Sequence, residues 1–139
     1  MPVLALDVGE RRIGVAVSDP SESFALPVRT LDRTSVRADI ATIVALAAEY
    51  GAETIVVGDP LRLSGERGIA AEKIDRFCEA LARTYAGALE RADERLTTAQ
   101  ATRALIGADV SRAKRKRVVD QLAATLVLEG FLARRRVRG

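Results

Sequence analysis

Residues 3–19 read VLALDVGERRIGVAVSD. Two apolar runs, 3–8 and 12–18, flank a tight turn at Gly9-Glu10-Arg11, which is the pattern of a β-hairpin. The first run carries a carboxylate, Asp7, near its end. A strand interior disfavours Asp, and burying a carboxylate is costly unless something positive lies beside it. Asp7 therefore stands at an exposed strand end or holds a cation.

Working outward, residues 25–31 (ALPVRTL) read as a third, shorter strand, and Pro27 places it at a sheet edge. Asp32 or Thr34 is positioned to cap a helix. From Val36 to Tyr50 the apolar positions Ile40, Ile43, Val44, Ala47 and Ala48 recur at helical spacing, and Gly51 sits where a C-terminal cap falls. Residues 53–58 (ETIVVG) form a short β-branched run, the signature of a buried parallel strand. A loop is expected over 59–68, and a second helix from Ile69 to Tyr85 with Ile74, Phe77, Cys78 and Leu81 on one face, ended by Gly87. Residues 88–92 are a further strand. A third helix capped by Thr97 or Thr98 runs to Ile106, and a last one from Ala113 to Ala133. An initial meander followed by alternating strands and helices predicts an α/β fold, a mixed sheet with helices on both faces.

Length and composition narrow the chemistry. At 139 residues one domain, 1–139, is expected, with 133–139 as a basic C-terminal tail. Aromatic residues are few, so the core is aliphatic, and the five present are expected mostly at core positions. No apolar run reaches the length of a membrane span and no signal-peptide pattern occurs, so a cytoplasmic protein with no membrane partner is expected. Cys78 is the lone cysteine and histidine is absent. That removes the commonest general base, the commonest zinc ligand and a Ser-His pair. Carboxylates around hard, oxygen-loving cations, Mg²⁺ or Mn²⁺, become the leading chemistry.

Three acids stand out against their surroundings. Asp7 ends the first strand, Glu94 follows the last one, and Asp120 interrupts VVDQLAATLVL, an otherwise almost wholly apolar helix. Ligands in open α/β sheets sit at the carboxyl ends of strands, where Asp7 and Glu94 both fall. Ala123 and Ala124 would let the last helix approach the sheet closely and aim Asp120 at the same place. Three converging acids repel one another unless cations bind between them. Two cations about 4 Å apart could hold a phosphodiester, activate a water and stabilise the leaving oxygen. Each acid also has a plainer reading. Asp7 can be an exposed strand end, Glu94 part of a solvated turn, and Asp120 an ion-pair partner of Lys116 or Arg117. Asp32, Asp39, Glu49 and Asp75 fit caps or solvated helix faces.

The charge is unevenly spread. Residues 112–139 carry a net +7, and residues 1–111 a net −4. Positive charge gathered at one end predicts a polyanionic partner, with Arg112, Lys114, Arg115, Lys116 and Arg117 as phosphate contacts; the alternative is a solvated, solubilising face.

Four segments, LALDVGERRIGVAVSD (4–19), IVVGDPLRLSGERG (55–68), DERLTT (93–98) and KRVVDQLAATLVLEGFL (116–132), together resemble the YqgF/RuvX family. The resemblance implies a ribonuclease H-like fold with a central five-stranded mixed sheet. It implies a metal-dependent endonuclease with Mg²⁺ or Mn²⁺, two ions per site, held by Asp7, Glu94 and Asp120. Arg12 and Arg95 are implied as substrate contacts, and Gly9, Gly14, Thr97 and Thr98 as supports of the site. The family's members are regarded as nucleases processing the 5′ end of pre-16S rRNA, and also as Holliday-junction resolvase-like proteins. A resolvase would require a homodimer with two active sites, whereas an RNA-processing enzyme could be a monomer. Asp59 departs from the family, which often has an apolar residue there, and adds a fourth acid near the mouth of the site. Two other classes stay in view: a non-catalytic nucleic-acid binder, and the sugar-kinase and actin-like ATPases that open with a similar D-x-G hairpin but need two such domains.

Overall fold

The computed structural model describes residues 1–22, 24–59, 68–93 and 112–138, the last helix at 112–120 and 136–138 by its backbone. In chain order these form β1 (Val3–Val8), β2 (Arg12–Ser18), β3 (Ala25–Asp32), α1 (Val36–Tyr50), β4 (Thr54–Asp59), α2 (Ile69–Thr84), β5 (Ala88–Asp93) and α3 (Arg112–Arg138). The strands make one sheet in the order β3-β2-β1-β4-β5. β1–β2 and β2–β3 are antiparallel, while β1–β4 and β4–β5 are parallel. β1 is thus the central strand, hydrogen-bonded on both sides, and the Pro27 strand lies on an edge.

Alternation along β1 sorts its side chains between two cores. Leu4, Leu6 and Val8 face α1 and α2, with Ile13, Val15, Ile43, Leu46, Ile55, Val57, Ile74, Phe77 and Leu81. Val3 and Ala5 face α3, with Ala16, Val56, Ala92, Ala124, Val127, Leu128 and Phe131. Asp7 is next in the odd-numbered series, so it belongs to the α3 side. The sheet half of the α3 core is Ala and Val alone, and Ala123 and Ala124 of the helix are fully buried. A helix bearing alanine on its contact stripe sits close to the sheet.

Several local expectations are corrected. The cap of α1 is Ser35, whose hydroxyl accepts from the Ala38 N–H at 3.1 Å, and not Asp32 or Thr34. Asp32 is the last residue of β3, and Thr34 turns its own donors to Asp39. Gly51 does close α1, at φ +66°, where glycine carries no Cβ penalty. α2 stops at Thr84, and Gly87 serves packing instead: a Cβ there would meet the Glu53 carbonyl oxygen at 2.5 Å. The last helix runs on to Arg138, through most of the expected tail, because Arg135 reaches Glu22 at 2.8 Å and lies over the Phe131 ring. Phe77 and Phe131 are core residues, whereas Phe24 is 70% exposed. The helix expected over 97–106 lies outside the described residues.

Candidate active site

The hairpin fixes the position of Asp7. The Gly9 N–H donates to the Arg12 carbonyl at 2.8 Å, closing the turn. That closure sets the pairing of every residue behind it, and Asp7 falls opposite Gly14. On the other side Leu6 pairs with Val57 of β4, so Gly58 is the β4 residue next along. The nearest neighbours of Asp7 on the two flanking strands are therefore glycines. A cross-strand neighbour would ordinarily crowd this space; glycine inside a strand leaves it open to a ligand or another backbone. Asp7 itself is only 7% exposed.

Gly9 is required by crowding and not by an unusual φ. A Cβ at residue 9 would stand 2.9 Å from the Arg12 carbonyl oxygen, the atom its own N–H must reach. Arg12 opens β2 and is half-buried at the same end of the sheet as Asp7.

Asp59 is not a fourth member of this site. By alternation with Ile55 and Val57 it lies on the α2 side of the sheet, away from Asp7. Arg91 of β5 bridges it to Asp75 of α2, with both contacts at 3.0 Å. The pairing gives Asp59 a structural duty, tying two parallel strands to a helix.

The same side of the sheet holds a cleft of about 540 Å³ beside the turn, lined among others by Gly9, Glu10, Arg33, Val36 and Lys73. Its charges are matched within it: Lys73 pairs with Glu10 at 3.2 Å, and Arg33 with Asp39 at 3.2 Å. Asp39 is no solvated helix residue, being 5% exposed and also accepting from the Thr34 N–H and hydroxyl.

Of the other expected site residues, Glu94, Arg95, Thr97 and Thr98 lie outside the described residues. Asp120 lies on α3, as do Arg112, Lys114, Arg115, Lys116 and Arg117, which occupy its first turns. Position 120 is four residues before Ala124 and seven before Val127, both of which pack on the sheet. Among the described residues no three His, Cys, Asp or Glu side chains come together. Sequence reasoning missed Gly58, Arg33 and Asp39. Gly58 had a signal, a glycine inside an apolar strand run; the Arg33–Asp39 pair had none.

A central strand that ends in a buried carboxylate, in a sheet ordered 3-2-1-4-5 with two parallel and two antiparallel pairings, defines the ribonuclease H-like class. Solved structures agree on the fold. Thermus thermophilus RuvC in complex with a Holliday junction substrate superposes with a TM-score of 0.57 at 15% identity, covering 96% of this chain and 95% of that one. A Fowlpox virus resolvase complexed with Holliday junction DNA gives 0.59 at 10% identity, covering 96% and 97%. The family profile described as "RuvX: Holliday junction resolvase" matches residues 1–134. The chain belongs to the RuvX family, whose members are hydrolases acting on nucleic acid. A Clostridium perfringens relative named "Putative pre-16S rRNA nuclease" is 45% identical over 134 residues, 96% of this chain and 98% of its own. Relatives of the same name from Clostridium novyi and Myxococcus xanthus are 46% and 43% identical over 132 residues; each alignment covers 95% of this chain, with 98% and 87% of theirs.

Proposed function

We propose that the chain is a metal-dependent endonuclease that hydrolyses phosphodiester bonds of structured RNA at the 5′ end of pre-16S rRNA, acting in the cytoplasm. The observation that carries the reading is Asp7, a buried carboxylate at the end of the central strand with glycines on both neighbouring strands. A carboxylate in so closed a place favours a cation beside it. The donors on offer are hard oxygens, with no histidine in the chain and its only cysteine buried. They fit Mg²⁺ or Mn²⁺.

Asp7, Glu94 and Asp120 would hold the ions, two per site. Chain lengths support the part given to Asp120. Arg135 binds Glu22, which also takes the Met1 amine at 3.3 Å, so the end of α3 lies beside the start of β1. Position 120 is fifteen residues back along the helix, about 22 Å. Asp7 is six residues along the strand from Met1, about 20 Å. A helix running back along β1 brings the two acids level. Glu94 follows directly on Asp93, the last residue of β5. When bound, such ions supply an activated water and neutralise charge on the phosphate and leaving oxygen. The protein's own part is positional. Asp7 is held on a rigid central strand, Gly9 and Gly14 keep the turn and the space before it, and Arg95, Thr97 and Thr98 would support substrate and site. Arg12 and the basic turn 112–117 would take flanking phosphates, which fixes register without reading bases.

The preference for rRNA follows the names of relatives that align over nearly the whole chain. A four-way DNA junction is the second substrate, favoured by the family description and by the two junction-bound structures of like fold; it would call for a homodimer. The test offers the purified protein with Mn²⁺ a pre-16S RNA fragment and a four-way DNA junction, with Asp7→Asn as control. RNA cleavage that Asp7→Asn abolishes, with folding and RNA binding retained, is the expected result. Full cleavage by Asp7→Asn removes the metal site. Faster cutting of the junction transfers the assignment to DNA.

A further inference from the structure

We infer that Arg33 is a positioning residue of the active site, a clamp that fixes the β1–β2 turn from behind so that Asp7 and Arg12 meet metal and phosphate in one geometry. The inference rests on the nuclease reading above and adds to it a residue remote from the acids.

Arg33 lies between β3 and α1, twenty-four residues from the turn it holds. Its Nη1 donates to the Gly9 carbonyl at 3.0 Å, and its backbone N–H donates to the Arg11 carbonyl at 2.9 Å. Together with the Gly9-to-Arg12 bond, three hydrogen bonds pin a turn of four residues. The guanidinium is fixed in its turn. Nε donates to Asp39 Oδ2 at 3.2 Å, and the group lies over the Phe77 ring, 5.4 Å from its centre. Asp39 is buried and is held on its other oxygen by the N–H and hydroxyl of Thr34. Each member of the chain α2–Phe77, Arg33, Gly9 is thus immobilised by the one before it.

The chemistry explains the choice of residue. A planar guanidinium donates along two directions at once, here to a carboxylate and to a carbonyl. A lysine ammonium is a point charge that can keep the ion pair but cannot span both acceptors. Only Val8 separates Asp7 from Gly9, so freedom in the turn reaches the end of β1 directly. Outer-shell contacts of this kind orient a metal ligand without touching the metal.

The test compares wild type with Arg33→Lys and Arg33→Met by thermal melting, Mn²⁺ titration calorimetry, amide exchange over residues 9–12 and cleavage. Arg33→Lys is expected to melt close to wild type, to exchange faster over 9–12, and to bind Mn²⁺ about tenfold more weakly. Its cleavage should recover in part at high Mn²⁺. Arg33→Met should show the same weakening with a lowered melting temperature. A merely structural role predicts the opposite split: lower melting temperature with an unchanged Mn²⁺ dissociation constant for the folded protein. Wild-type Mn²⁺ affinity in Arg33→Lys overturns the clamp alone. A wild-type protein that neither binds Mn²⁺ nor cuts overturns the nuclease reading, and the clamp with it.

Discussion

Replacing Ala124 with leucine tests whether the close approach of α3 sets the active site. Ala124 has no exposed surface and packs among Val3, Ala5, Ala16 and Val56 on the Asp7 side of the sheet. Leucine adds three carbons where there is no space for them. Overpacking of this kind costs about 1–3 kcal/mol. Unfolding entropy for a chain of this size is about 0.3 kcal/mol/K, so the melting temperature should fall by about 3–10 °C. The side chain can be accommodated only if the helix lifts from the sheet near its contact stripe, and position 120 lies one turn before Ala124. A displacement of about 1 Å at a reacting centre costs on the order of a hundredfold in rate. Cleavage per folded molecule, measured well below the transition, should therefore drop by about that factor. Leu128→Ala is the matched control. It removes a fully buried side chain from the same interface and should cost more stability, about 2–5 kcal/mol. It leaves a hollow and does not wedge the helix outward, so its folded fraction should cut near the wild-type rate. Wild-type cleavage by Ala124→Leu at a lowered melting temperature would refute the reasoning, as would an equal loss in Leu128→Ala.

Two further outcomes follow from described contacts. Asp59→Asn breaks its ion pair with Arg91, a partly exposed contact worth about 0–1 kcal/mol, and should leave cleavage unchanged where Asp7→Asn abolishes it; loss of cleavage on Asp59→Asn would return that acid to the site. The Tyr85 hydroxyl donates to the Ala52 carbonyl at 3.1 Å, and burial, with help from Glu53, raises its pKa above 10.0. The unfolded chain therefore loses this proton first, and the stabilisation is intact below pH 10 and lost as pH rises through the folded-state value. Melting curves between pH 8 and 11 should show the extra alkaline loss in wild type and not in Tyr85→Phe, which should itself cost about 1 kcal/mol at neutral pH; parallel curves would refute the assignment.

The strands were legible because their information is local. Period-2 runs bounded by turn residues mark β1 and β2, and a turn that closes from residue 9 to 12 places 7 opposite 14 with no further input. The buried helix face of α2 was legible from Ile74, Phe77, Cys78 and Leu81 for the same reason. What escaped depends on contacts far apart in the chain. RRRVR carries no apolar period, and it is helical because Glu22 and Phe131 receive Arg135. Asp39 looks like a solvated helix acid until Arg33 is seen against it. Asp59 reads as a possible ligand because the sequence does not show that Arg91 occupies it. At the site, the sequence isolates Asp7 as anomalous, and only the sheet shows that it is buried and that glycines stand beside it.

The α3 core has a consequence for synthesis. Its sheet half comes from residues 3, 5, 16, 56 and 92, and its helix half from residues 124–132. While a ribosome is still translating the first hundred residues, the face that bears Asp7 lacks the helix that packs on it. The other face can already close, since α1 and α2 emerge in sequence with the strands they cover. Completion of this core thus waits for α3, which is tied down at Glu22 beside Met1. On the part proposed for Asp120, a nascent chain gains its cutting centre only after α3 leaves the exit tunnel.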